Sequence, residues 1–186
     1  MEFSEEGFEL RPWRDGDEAA LVRHADDEEV ARNLLDRFPH PYTLADARHW
    51  VAMNRAATGP VSQFAIVVSG AAAGAIGFER LEDVYASTAR IGYWLGRTHW
   101  GRGIATAAVR IVTAHAFRAF DFERLEAEVF DWNPASRRVL EKVGYVLESR
   151  QSRRIVKRGV VMDGWLYARL RRDEATGTER PEDRTG

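Results

Sequence analysis

The chain has 186 residues, no cysteine and a formal net charge of −2, with 30% charged and 45% hydrophobic residues. This balance predicts one globular domain and gives no general attraction to nucleic acid or to a membrane, so neither is expected as a partner. The lack of cysteine excludes disulfides and thiolate nucleophiles. The five histidines lack metal-binding spacing, so no metal site is expected. An acidic N-terminus without an apolar segment favours a cytoplasmic protein.

The first third of the chain combines one strand with three helices. Residues 8–12 alternate in polarity and predict the strand. Asp15 is predicted to cap the first helix, and a second short helix is predicted over residues 27–34. Thr43 and Asp46 have the spacing of a capping box, which predicts that a third helix begins there.

Three strands are predicted next, over residues 63–68, 73–81 and 89–95. Their connections are too short for crossover helices, which predicts an antiparallel meander. Gly74 and Gly77 in the middle strand indicate a bulge or the close approach of another backbone.

The stretch Trp100–Ala105 joins the third of these strands to a helix predicted to begin at Ile104. Gly101 and Gly103 allow a tight turn, and the first-turn N–H groups of the helix lack partners within it. Free N–H groups and the positive end of the helix dipole form an anion site. Thr106 stands where a dinucleotide fingerprint needs glycine, and the chain has no Gly-Lys pair for a P-loop. We therefore predict a diphosphate at this turn.

A strand is predicted over residues 125–129 after this helix. The crossover rule makes it parallel to the strand at 89–95. Asn133 and Pro134 carry the signals of a helix start, and two closing strands are predicted over 145–148 and 160–170. The fold class is thus α+β, with a mixed, mostly antiparallel central sheet, one parallel strand pair, and helices.

The periodic pattern ends near residue 171, where the chain becomes polar and loses its apolar spacing. This composition is typical of a disordered segment. The prediction is a single domain over residues 1–172 and a disordered C-terminal tail over residues 173–186.

Several separated segments together resemble the GNAT family of N-acetyltransferases, over about residues 8–170. Residues 100–105 resemble its pyrophosphate-binding motif, and residues 133–145 resemble its second cofactor-contacting segment. Three further segments resemble the branch of ribosomal-protein N-terminal acetyltransferases (RimJ/RimL-like): residues 38–46, 91–95 and 166–170.

The resemblance implies a fold in which the parallel strand pair splays apart, with helices on both faces of the sheet. It also implies acetyl-CoA as co-substrate, no metal, and direct transfer of the acetyl group to an amine. The backbones of Tyr93 and Leu95 would bind the pantetheine arm, and Asn133 would bind it from the other wall. The N–H groups expected to hold the pyrophosphate are those of Arg102, Gly103, Ile104, Ala105 and Thr106.

Two catalytic roles follow from the same resemblance. The N–H group of Leu95 would stabilise the negative charge that develops on the thioester oxygen. Many members carry a tyrosine acid at the position of Leu140, and leucine cannot protonate a thiolate. Ser136 is therefore the candidate acid, because its hydroxyl can donate to the leaving sulfur.

The general base is assigned from its position in the predicted sheet. Glu79 lies on the strand next to the one that carries Tyr93 and Leu95, and a carboxylate is the usual base for an ammonium acceptor. Glu82 and Asp83 in the following loop are the alternatives.

Three hypotheses for the function remain open at this point. The first is acetylation of the N-terminal α-amine of a protein, and the second is acetylation of a small amine such as an antibiotic or polyamine. The third is a non-catalytic acetyl-CoA sensor, which Leu140 in place of tyrosine keeps open. A monomer or a homodimer is expected.

Overall fold

The computed structural model describes residues 2–171, so the predicted tail over 173–186 and the domain limit at 172 lie outside the described residues. The strands are β1 Phe3–Glu5, β2 Phe8–Arg11, β3 Gln63–Val68, β4 Ala71–Arg80, β5 Thr88–Leu95, β6 Arg124–Phe130, β7 Val146–Lys157 and β8 Val160–Leu170. The α-helices are α1 Glu18–Ala25, α2 Glu28–Ala31, α3 Leu44–Ala56, α4 Ile104–Ala119 and α5 Pro134–Lys142.

All eight strands form one sheet in the order β1-β2-β3-β4-β5-β6-β8-β7. Neighbouring strands are antiparallel except β5 and β6, which are parallel because α4 connects them across one face. Ala108 and Val112 of α4 are fully buried against that face. Leu21 of α1 and Val51 of α3 are buried against the opposite face. The predicted α+β architecture is confirmed.

The parallel pair separates after a short stretch of pairing. Its register runs from Thr88 opposite Arg124 to Arg90 opposite Glu126 and includes three residue pairs. Both strands continue, over residues 91–95 and 127–130, without pairing to each other. This geometry leaves a gap in the middle of the sheet, as the family resemblance implied.

The start of α1 differs from the predicted one. Asp17, rather than Asp15, precedes the helix, and its side chain makes no capping bond. Instead the Asp17 carboxylate accepts two hydrogen bonds from the buried Arg11 guanidinium, at 2.7 and 2.8 Å. A charged group inside the protein needs a partner of opposite charge or a hydrogen bond. The carboxylate of Asp17 therefore bonds to Arg11 of β2 instead of capping the helix, and this contact decides where α1 begins.

Two further elements have different lengths from those predicted. The second helix covers only Glu28–Ala31, with Asp27 as its cap. The strand predicted over 145–148 continues to Lys157, because β8 pairs with it along almost its whole length. Its residues are mainly polar and exposed, so the sequence carries no alternation that would mark the strand.

Gly74 is the glycine on which the packing of β5 against β4 depends. A Cβ atom there would lie 2.4 Å from the carbonyl oxygen of Trp94 and 3.0 Å from Cα of Leu95. The register shift between β3 and β4 falls beside it. The predicted bulge and close backbone approach are therefore confirmed.

We expect Gly74→Ala to lower the free energy of unfolding by about 1–3 kcal/mol, because the clash is with backbone atoms that cannot rotate away. Urea denaturation measures the change. Gly92→Ala on β5 is the matched control, since a Cβ there meets no atom within 4 Å. A loss in Gly92→Ala as large as that in Gly74→Ala would contradict the close contact.

Candidate functional site

A cleft of about 740 Å³ passes through the gap between β5 and β6 and opens on both faces of the sheet. Helices α4 and α5 border it on one face, and the chain around α2 borders it on the other. The predicted site residues that line this cleft are Glu79, Tyr93, Leu95, Arg102, Gly103, Ile104, Ala105, Thr106, Asn133 and Ser136.

Two glycines shape the turn at the start of α4. Gly101 has φ of +75° and Gly103 has φ of +80°, a left-handed conformation that is costly for other residues. A Cβ atom at either glycine would meet no atom within 4 Å. Backbone conformation rather than crowding therefore favours glycine here, and the space beside the turn is open.

The N–H groups of this turn are free to bind a ligand. Gly103 caps α4 without any side-chain bond. Within residues 2–171, the N–H groups of residues 101–106 have no hydrogen-bond acceptor. These donors and the positive end of α4 match the charge and the geometry of a phosphate group. The residues present thus fit the pyrophosphate of acetyl-CoA.

The backbone of β5 presents a second set of free donors to the gap. The N–H group of Gly96 donates to the carbonyl of Ala73, at 2.7 Å, so even-numbered residues point toward β4. Tyr93 and Leu95 therefore direct their N–H and C=O groups toward β6, where the pairing has ended. This is the orientation that the predicted contacts with a pantetheine arm require.

Trp100 fixes the turn relative to the end of β5. Its indole Nε1 donates a hydrogen bond to the carbonyl oxygen of Leu95, at 2.6 Å. The sequence placed Trp100 only at the start of the turn. The structure shows that the indole holds together the two elements that carry the free N–H groups.

Asn133 caps α5 as predicted, because its Oδ1 accepts a hydrogen bond from the N–H group of Ser136, at 3.1 Å. This bond uses the amide oxygen of Asn133 and leaves its NH₂ group available to a ligand in the cleft. The cap also fixes the first turn of α5, where Ser136 lies.

The hydroxyl groups of Ser136 and Tyr93 form a pair, with their oxygens 2.8 Å apart. Burial raises the pKa of the Tyr93 phenol above its usual range, so this hydroxyl stays protonated at neutral pH. The sequence assigned only a backbone role to Tyr93. Leu140, at the position of the family tyrosine, is fully buried in the core.

The predicted base candidates differ in their positions. Glu79 lines the cleft, but its side chain is 56% exposed and its carboxylate accepts two hydrogen bonds from Arg37, at 3.0 and 3.1 Å. Glu82 and Asp83 follow the end of β4 and are outside the cleft lining. Glu128 on β6 also lines the cleft, and the sequence reasoning missed it.

Comparison with known proteins identifies the family. The profile described as "Acetyltransferase (GNAT) domain" matches residues 8–146. The chain belongs to the GNAT acetyltransferase family. The predicted family, the fold class and the enzyme class, an N-acetyltransferase, are confirmed.

Individual relatives agree with this GNAT assignment. The chain is 41% identical to the probable N-acetyltransferase YjcK of Bacillus subtilis over 87 residues, which cover 47% of this chain and 48% of the relative. It is 30% identical to the ribosomal-protein-serine acetyltransferase of Escherichia coli over 112 residues, 60% of this chain and 62% of the relative. Both alignments therefore span less than two thirds of the relative.

Among solved structures, Mycobacterium smegmatis RimJ in complex with CoA-disulfide superposes with a TM-score of 0.76 and 28% identity. The match covers 88% of this chain and 81% of that chain. Within residues 2–171, no helix is both long and apolar enough to cross a membrane, and no three His, Asp or Glu side chains group as a metal ion would require.

The turn glycine offers a direct test of the phosphate site. Gly103→Ala is expected to weaken acetyl-CoA binding by about tenfold or more, because a left-handed alanine costs about 1–2 kcal/mol and its Cβ enters the open space. Calorimetric titration gives the affinity.

Gly7→Ala is the matched control. Gly7 has φ of +85° and equally open surroundings, but it lies in the turn between β1 and β2. We expect a similar loss of stability and an unchanged affinity. Equal affinities in the Gly103 and Gly7 variants would contradict the site.

Proposed function

We propose that this GNAT protein transfers the acetyl group of acetyl-CoA to the N-terminal α-amine of a protein. The observation that carries the proposal is the single cleft that joins the free N–H groups at Gly103 to the Ser136–Tyr93 pair through the gap in the sheet. Similarity to the ribosomal-protein-serine acetyltransferase of Escherichia coli supports a protein as acceptor, and the resemblance of residues 38–46, 91–95 and 166–170 to the N-terminal acetyltransferase branch favours its N-terminal α-amine.

The chain's own residues would bind and orient the donor, which supplies an acetyl group activated as a thioester. The N–H groups of residues 102–106 bind the pyrophosphate, and the NH₂ group of Asn133 binds the arm. Tyr93 and Leu95 present N–H groups to the gap at two depths, Leu95 nearer the turn. One of them donates to the thioester oxygen, and removal of such a donor costs about 3–4 kcal/mol in known enzymes.

Ser136 would supply the hydrogen bond to the leaving sulfur. When the Tyr93 hydroxyl donates to Oγ of Ser136, the serine hydrogen is left free to donate to another acceptor, such as the leaving sulfur. A buried tyrosine with a raised pKa keeps this donor at neutral pH. The pair thus provides the hydroxyl that Leu140 lacks, which favours an enzyme over a non-catalytic sensor.

The acceptor is tested by measuring CoA release with three sets of amines. Peptides that begin with serine or alanine are compared with the same peptides acetylated at the N-terminus but carrying a free lysine, and with polyamines and aminoglycosides. We expect release with the free N-termini. Release only with small amines would instead establish a small-molecule acetyltransferase, and release with none, despite acetyl-CoA binding, would establish a sensor.

Substitutions in the hydroxyl pair test the proton donor. We expect Ser136→Ala to lower kcat by about 10²-fold and Tyr93→Phe to lower it by about tenfold, the value of one hydrogen bond. Because Tyr93 acts through Ser136, the double variant should resemble Ser136→Ala alone. Steady-state kinetics gives kcat, and calorimetric titration with acetyl-CoA shows whether binding of the acetyl donor has changed.

Thr113→Val is the control for this series. It breaks a comparable buried bond, between the hydroxyls of Thr113 and Tyr145 at 2.8 Å, and should leave kcat unchanged. Additive losses in the Ser136 and Tyr93 variants would show that the two hydroxyls act separately and would contradict the pair.

A further inference from the structure

Three carboxylates line the cleft, and they differ in how their charge is already used. Glu79 accepts two hydrogen bonds from Arg37, and Glu29 contacts Arg32 at 3.4 Å. Glu128 accepts no hydrogen bond from any residue in the part of the chain that the structure describes. Its nearest cation is Nε of Arg154, at 3.5 Å, and its side chain is 22% exposed. Glu128 is thus largely shielded from bulk water, and its ion pair with Arg154 includes no hydrogen bond, so its carboxylate oxygens can still accept one.

The alternation of β6 determines which face of the sheet Glu128 occupies. Leu125, Ala127 and Val129 are buried against α4 and α5. Since side chains alternate along a strand, Glu128 points to the opposite face. The Ser136–Tyr93 pair lies on the α5 side. A group bound in the gap would therefore have a hydroxyl donor on one side and a carboxylate on the other.

The register places Glu128 beside the open part of the gap. The last strand pair joins Arg90 to Glu126, so two residues farther along each strand Glu128 lies across from Gly92. Gly92 has no side chain, and a Cβ there would meet no atom within 4 Å. The space in front of Glu128 is therefore open.

The thioester of a bound acetyl-CoA would lie at the same level along β5 as Glu128. An arm held at Gly103 enters the gap at the Leu95 end of β5, so its far end lies deeper, toward Tyr93. Tyr93 is one residue from Gly92, the level of Glu128. Glu79, in contrast, lies on β4 opposite Arg90, with all of β5 between it and the gap.

We propose that Glu128, rather than Glu79, is the general base that deprotonates the acceptor amine, an inference that rests on the proposed function. Its carboxylate accepts one proton from the ammonium group and passes it to water. The nitrogen lone pair then forms the N–C bond, and the C–S electron pair leaves with the sulfur. Ser136 gives its hydroxyl proton to the sulfur and regains one from the nitrogen, so one proton in total is released.

Together with Glu128, the four arginines and three other glutamates that pair near it carry no net charge, so they neither repel nor trap an acceptor cation. The charged groups nearest Glu128 on this side of the sheet are Glu29, Arg32, Arg37, Glu79, Arg90, Glu126 and Arg154, and the pairs Arg97–Asp27, Arg158–Glu28 and Lys157–Asp36 lie farther out around α2. Arg32 pairs with Glu29, Arg37 with Glu79 and Arg90 with Glu126, whereas Arg154 makes only the 3.5 Å contact with Glu128 and no hydrogen bond to it. An incoming ammonium can therefore reach Glu128 by replacing this contact.

The test compares Glu128→Gln with the wild type across pH 6–10, using the best amine from the acceptor screen. We expect kcat/KM to fall by about 10²–10⁴-fold at pH 7. The loss should shrink as the pH rises, because the amine then loses its proton to solvent. Affinity for acetyl-CoA should not change, whereas affinity of the amine for the CoA-loaded protein should fall by about tenfold. Glu5→Gln, on the exposed edge strand β1, is the matched control and should leave all three quantities unchanged.

Each alternative result would contradict either the assignment of Glu128 as the base or the proposed function. Activity of Glu128→Gln within about threefold of the wild type overturns the base, as does a loss that is the same at every pH. A large, pH-dependent loss in Glu79→Gln, with Glu128→Gln active, assigns the base to Glu79. A wild type that binds acetyl-CoA but releases no CoA with any amine overturns the proposed function and the base with it.

Discussion

The central constraint in this structure is that β5 and β6 stop pairing after Arg90 and Glu126. Backbone N–H and C=O groups inside a protein need partners, and each one left without a partner costs about 1–3 kcal/mol. The unpaired N–H groups of Tyr93 and Leu95 are therefore tolerated only where water or a ligand can reach them. The cleft in the sheet supplies that access, so the break in pairing is itself the binding feature.

The rest of the site is organised around this gap by contacts between distant parts of the chain. The Trp100 indole fixes the glycine turn to the end of β5. The Asn133 cap sets the first turn of α5, and Ser136 in that turn bonds to Tyr93 across the cleft. Each free donor thus has a fixed place along one path, from the glycine turn at Gly103 to the Ser136–Tyr93 pair. Preorganised donors of this kind need no rearrangement during the reaction.

Local signals in the sequence predicted a large part of the fold. The capping box of Thr43 with Asp46, the Asn133 cap and the left-handed glycines at 101 and 103 all act within a few residues, and all occur in the structure. The first helix start was predicted wrongly, because the carboxylate of Asp17 is bound by Arg11 from a neighbouring strand. Local spacing carries no information about such a contact.

The side chains of the proposed chemical centre were harder to predict. Tyr93 and Ser136 are 43 residues apart in sequence, and only the packing of α5 against β5 reveals their pair. Glu128 did have a signal, since it alternates with the buried Ala127 and Val129, but its partner strand and register were needed to place it at the gap. Patterns therefore located the strands, while register showed that Glu128 lies beside the gap.

Amide hydrogen exchange of the wild-type protein with and without acetyl-CoA tests the central claim most directly. The account predicts that acetyl-CoA slows exchange at the N–H groups of residues 102–106 and of Tyr93 and Leu95, which have no partner in the described structure, while the paired amides of β3 and β4 change little. Binding of acetyl-CoA that leaves exchange at these amides unchanged would contradict it.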